Sequence, residues 1–243
     1  MPSIESRVNN VGTLVESNST LVFRGSFTTD NLGTINRNNG NIYLSGTLNN
    51  TNMTLTLDAA SGSWILNHGT VNGGTIATSG GASFIVSGGT LDGVTINGTL
   101  DVGNSIIGAV LTLTNGLVLN GTMLVGNPTN YLYGSVYFKG SQSVSGSGTM
   151  AFGYSVNNNL YLYNSGTALT LGSGITLRGQ NGHFDGAQNT TLINQGTLSA
   201  DVSSGTITVY PTFNNQGLAQ AINGGTISLN GTLNPTFDTG KGF

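Results

Sequence analysis

The chain of 243 residues has no cysteine, only 4 prolines, and charged side chains at 6% of its positions. Each shortage excludes a class. Without cysteine there is no disulfide scaffold. Collagen needs abundant proline and a strict Gly-X-Y period, and neither is present. Disordered proteins combine few large aliphatics with high net charge, whereas here hydrophobic residues reach 37% and the formal net charge is -3. The 6 basic residues (Arg7, Arg24, Arg37, Lys139, Arg178, Lys241) are scattered. No basic stripe follows a phosphate backbone, so nucleic acid is not an expected partner. No apolar run approaches the ~20 residues that a membrane-crossing helix needs, so membrane insertion is not expected either. The opening MPSIESRVNN lacks the basic and apolar regions of a signal peptide. An extracellular or cell-surface location is expected only if export and anchoring signals have been removed or lie in a larger parent protein.

What the sequence has instead is glycine and repetition. Glycine occurs 39 times, more than twice its usual share of ~7%. Gly-Thr-aliphatic recurs from end to end, as at Gly46-Thr47-Leu48, Gly98-Thr99-Leu100, Gly121-Thr122-Met123 and Gly196-Thr197-Leu198. Near the C-terminus a longer unit repeats. Asn194-Gln195-Gly196, Ala200 and Gly205-Thr206-Ile207 realign with Asn215-Gln216-Gly217, Ala221 and Gly225-Thr226-Ile227. The offset of about 20–21 residues falls in the range of solenoid repeats.

Between the glycines lie short alternating runs such as Thr54-Leu55-Thr56-Leu57 and Thr206-Ile207-Thr208-Val209. Alternation puts aliphatics on one face of a strand and polar residues on the other. No segment carries the i, i+3, i+4, i+7 pattern of an amphipathic helix. Asn97-Gly98, Asn115-Gly116 and Asn120-Gly121 leave a hairpin-built sandwich open, but the repeat offset favours coils stacked in register. The expected fold is all-β: one right-handed parallel β-helix, or β-solenoid, spanning 1–243 as a single domain with almost no helix. At this offset it has about eleven coils and, at ~4.8 Å per coil, a length of about 50–55 Å.

The runs GGTLDGVTINGTLDV (88–102), LTLTNGLVLNGTMLVG (111–126), LINQGTLSADVSSGTITV (192–209) and NNQGLAQAINGGTISLNG (214–231) carry a resemblance. They resemble the repeats of large bacterial secreted and surface β-helix proteins, the haemagglutinin-like and autotransporter-passenger-like repeat proteins. The resemblance covers roughly 85–233 and is more specific for architecture than for function. It implies a structural or adhesive role outside the cell. The 243 residues carry no counterpart of that family's exporting barrel or anchor, so an excised or unusually small module is expected.

β-Helices also host polysaccharide lyases, hydrolases and tailspike-like depolymerases, which need clustered carboxylates and a cationic group. The best local cluster is Arg178, His183 and Asp185 in RGQNGHFDG, without a second carboxylate close by in sequence. Asp92 with Asp101, and Asp185 with Asp201, could meet only through coil geometry. His68 and His183 stand far apart and no calcium-binding Gly-Gly-x-Gly-x-Asp repeat appears, so no metal site and no cofactor are expected. Thr-x-Thr units at Thr54, Thr112 and Thr206 lie several coil lengths apart, which argues against an ice-binding array.

The least random feature is aromatic. Six of the 8 tyrosines fall between Tyr131 and Tyr163. Strand parity places Val136, Phe138, Leu160 and Leu162 inward, and Tyr131, Tyr133, Tyr137, Tyr161, Tyr163 and Lys139 outward. Tyr137 and Tyr161 are about one coil apart, so one ring is expected beneath the other. Such a ladder would suit surface glycans or another protein. The tail NPTFDTGKGF offers no helix or charged run to close the last coil. The other expected partner is therefore a second copy, or the rest of a longer protein, at an open C-terminal coil.

Overall fold

The computed structural model describes residues 9–233. Each coil has three strand segments, which pair in parallel from coil to coil and are fused across corners in the longer strands Trp64–Asn72, Phe84–Asn97 and Ala109–Leu119. The first coil is Thr13–Ser17, Thr20–Phe23 and Ser26–Phe27, and the second is Thr34–Asn38, Asn41–Leu44 and Thr47–Asn49. These strands head three faces, of which the second and third are continuous and the first breaks between Thr34–Asn38 and Thr54–Leu57. The fold is the all-β parallel solenoid that the repeat predicts. Among the described residues its helical content is one 3-10 turn, Thr29–Asn31.

The second face stacks ten levels deep. Its inward column is Leu21, Ile42, Trp64, Phe84, Leu100, Met123, Met150, Leu177, Leu198 and Ala219. On the third face Phe27, Leu48, Val71, Leu91, Leu113, Phe138 and Leu162 form a parallel column. These columns pack against one another as one continuous core, and the ladders satisfy the backbone around it. Phe23 stacks on Trp64 with ring centroids 5.3 Å apart.

The Gly-Thr-aliphatic motif now has a physical meaning. The aliphatic residue enters the core, as Met123 does with no exposure. Threonine takes the first outward position of the strand, where its branched side group suits a pleated surface. On the second face Thr99, Thr122, Thr149, Thr176 and Thr197 lie in register over five consecutive coils. Glycine turns the corner immediately before each of them except Thr176, which follows Ile175. A Cβ at Gly121 would collide with the Gly98 carbonyl, and one at Gly196 with the Ile175 carbonyl.

Coil length is not constant. Ser83 bonds to Ser63, 20 residues back, whereas Ala168 bonds to Ser141, 27 residues back. The extra residues leave the coil at its corners, so roughly ten coils use the length that equal short repeats would divide into eleven. The expectation of an open C-terminal coil rests on residues 234–243, which lie outside the described residues.

Candidate functional site

The third face carries the tyrosines because its strands change composition midway. In the earlier coils its first outward rank is Thr47, Thr70, Thr90 and Thr112. At the next level Thr112 is followed by Tyr137, then by Tyr161 and Asp185, all in register. Inward parity holds across these strands, with Val136, Phe138, Leu160 and Leu162 buried. Outward parity leaves Tyr137 and Tyr161 half-buried.

Tyr137, Tyr161 and Tyr163 form a triangle of rings. Centroid separations are 5.5 Å between Tyr137 and Tyr161, 6.2 Å between Tyr137 and Tyr163, and 6.4 Å between Tyr161 and Tyr163. The edge-to-face and tilted packing is what ring quadrupoles favour. Tyr163, just past the strand Asn159–Leu162, is 50% exposed. Lys139 places its ammonium 5.1 Å from the Tyr163 ring centre, a cation–π contact. The result is a raised aromatic patch with one cation at its edge.

The five tyrosines expected in one ladder are divided. Tyr131 and Tyr133 lie in the corner segment before the strand Gly134–Phe138, outside the regular alternation. Tyr131, 73% exposed, packs edge-on against Tyr154 at 5.0 Å, with the two hydroxyls 3.4 Å apart. That hydrogen bond holds the Tyr154 phenol above its usual range, reinforced by charge repulsion from Tyr131. Tyr133 is half-buried at the same corner, where its carbonyl accepts the Gly108 N–H at 2.8 Å. Tyr154 is therefore Tyr131's partner, a pairing between equivalent corners of successive coils that strand parity does not reach.

Arg178, His183 and Asp185 are not brought together. Arg178 faces outward from Thr176–Gly179 on the second face, where its Nε donates to Asp201 Oδ2 at 2.6 Å. His183 and Asp185 belong to Gly182–Gly186 on the third face. The His183 ring meets the Tyr210 ring edge-on at 6.3 Å, and Asp185 Oδ1 accepts the Gly186 N–H. A recess of about 470 Å³ beside His183 is lined by Asn181, Ser204, Thr206, Thr208 and Tyr210.

The other carboxylates have structural work. Asp92 Oδ1 accepts the Thr114 hydroxyl at 2.9 Å. Asp101 is 2% exposed and accepts from the Asn104 and Ser105 N–H groups, the Asn104 amide and the Ser105 hydroxyl. Those four bonds tie down the loop that follows its strand. Among the described residues no group of three or more His, Asp or Glu residues could hold a metal ion. No family model matches the sequence, and neither curated proteins nor solved structures gave a match.

Proposed function

We propose that this protein is a non-catalytic structural or adhesive module of a bacterial extracellular surface, matrix or filament. A stiff solenoid displays the patch of Tyr137, Tyr161, Tyr163 and Lys139 to glycans of a neighbouring surface. The observation that carries this reading is the contiguity of those rings on one outward face. Charged groups, in contrast, are spread over different faces and engaged in local bonds. Rings that project from a rigid sheet lose little rotamer freedom on contact and offer flat apolar faces with hydroxyl edges. Each patch gives weak contact, about millimolar, which multiple copies on a surface would raise by avidity.

The test is the double variant Tyr137→Ser/Tyr161→Ser. Both rings lie outside the core, so the far-ultraviolet spectrum and melting should stay close to those of the parent. Retention on immobilised polysaccharides should fall at least about fivefold, the loss of about 1 kcal/mol. Unchanged retention by a folded variant would remove the patch from the reading. A carbohydrate-cleaving enzyme is the second reading, and the recess beside His183 is the observation in its favour. Release of new reducing ends or unsaturated products, abolished by His183→Ala in that recess or by Asp185→Ala on the same strand, would establish it instead.

A further inference from the structure

Among the described residues the stack of coils is interrupted at one place. On the first face Thr34–Asn38 pairs with Thr13–Ser17 but not with Thr54–Leu57 of the following coil. The second and third faces run through that level unbroken. The gap is stitched at both ends. At one, the Arg37 N–H donates to the Ala60 carbonyl at 3.0 Å; at the other, the Thr29 hydroxyl donates to Asn50 Oδ1. Between the stitches lies a cleft of about 340 Å³, inside the ~300–1,000 Å³ range of small-molecule sites.

The walls of the cleft are backbone. In a parallel strand successive residues direct their N–H and C=O groups to opposite neighbours. Thr34 donates to Gly12 in the preceding coil and Arg37 to the following one, so the backbone groups of Ile35 face the gap. Across it, Thr75 binds the Met53 carbonyl, which leaves those of Thr54 and Thr56 facing back. Leu32, Ile35, Leu55 and Trp64 supply the apolar lining, and Trp64 Nε1 is a buried donor without a hydrogen-bond partner among the described residues. The Asp58 carboxylate sits at the rim, held below its usual range by the Ser61 N–H and hydroxyl and by the Ala60 N–H. Among the described residues, no basic one lines the cleft.

We infer that this cleft binds a single neutral sugar ring. Closure at both ends excludes a strand that continues past the site, so the occupant is short and discrete. Hydroxyls donate and accept, and so can pair with backbone N–H and carbonyl groups, threonine hydroxyls and a carboxylate alike. The C–H face of the ring would lie on the Leu32, Ile35 and Leu55 side. Asp58 is the only charged residue of the lining and disfavours acidic sugars; the Arg37 guanidinium lies beside Gly62 in the same turn, outside the lining, with its Nε donating to the Gly40 carbonyl. The site is independent of the tyrosine patch, which lies on another face and in later coils.

Trp64 is the only tryptophan, so its fluorescence and its indole 1H–15N signal report on the cleft directly. The full-length protein is titrated with glucose, galactose, N-acetylglucosamine and galacturonate. At least one neutral sugar should shift both signals saturably, with a Kd of about millimolar, and galacturonate should bind at least about tenfold more weakly. Thr56→Phe, at an outward strand position that accepts an aromatic ring, should close the cleft and abolish the shift in a folded protein; Thr34→Phe serves if that variant fails to fold. Tyr137→Ser/Tyr161→Ser should leave the shift intact, which separates this site from the adhesive patch. The inference is overturned if no neutral sugar moves Trp64, if galacturonate binds as tightly, or if a short peptide such as Val-Thr-Val binds more tightly than every sugar.

Discussion

Arg178 donates its Nε to the Oδ2 of Asp201 at 2.6 Å, across one coil and away from His183 and Asp185. The two ends of this pair differ in exposure, 52% for the arginine and 10% for the aspartate. Water screens one partner while the other depends on the pair. Arg178→Ala should therefore lower stability by about 1 kcal/mol, a fall of about 2–4 °C in Tm. Asp201→Asn, which removes the buried charge together with the ion pair, should cost less than Arg178→Ala. Thermal melts of the two variants check this, and equal losses would contradict the asymmetry.

The corner glycines set a second expectation. A Cβ at Gly121 has the Gly98 carbonyl in its way, and one at Gly196 has the Ile175 carbonyl. Backbone in a stacked coil cannot yield as a flexible side group would. Gly121→Ala and Gly196→Ala should each destabilise by about 1–3 kcal/mol, read as a lower urea midpoint. Gly140→Ala is a control for added bulk alone, because nothing lies within 4 Å of its Cβ, although its φ of 79° adds backbone strain.

Alkaline titration separates the tyrosines. The Tyr154 phenol is raised above its ordinary value of 10.0 by the hydrogen bond it shares with Tyr131, which its neutral O–H can donate, and by repulsion between the two ionised rings. A raised phenol favours the neutral form, so the pair's contribution is complete below pH about 10 and is lost as pH rises through the folded value. Phenolate absorbance should show a late-titrating ring in the parent. That late component should disappear in Tyr131→Phe, which keeps the ring contact and removes the hydroxyl.

At acid pH the sign reverses. The Asp58 carboxyl is depressed below its ordinary 3.8 by bonds from Ser61 and Ala60. Its contribution is present above pH about 4 and is lost as pH falls through the folded value. The turn it holds borders the cleft that Trp64 lines. Trp64 emission should therefore change reversibly below that pH before global unfolding. Asp58→Asn should remove that step, and a step that survives the substitution would assign it to another group.

The coil is legible in the local pattern of residues. Alternating Thr-Leu-Thr-Leu runs admit one buried face, and a repeated Gly-Thr-aliphatic corner admits one stacking register, so parallel strands and the inward columns through Met123 and Met150 follow from local pattern. Parity likewise put Tyr161 in register with Tyr137, because both lie inside regular strands. What lies at the corners follows from packing between coils, because insertions of different length break the two-residue period there. There Tyr131 left the ladder for Tyr154, and Arg178, one corner before His183, fell on another face beside Asp201. The cleft beside Trp64 was also invisible in the residues. It exists because one strand of the second coil lacks a pairing that its local sequence, Thr34-Ile35-Asn36, is as fit to make as the pairing of Thr54-Leu55-Thr56 with Thr75-Ile76-Ala77. A ladder forms between two strands, and the sequence of each one specifies its own alternation but not its distance from the next.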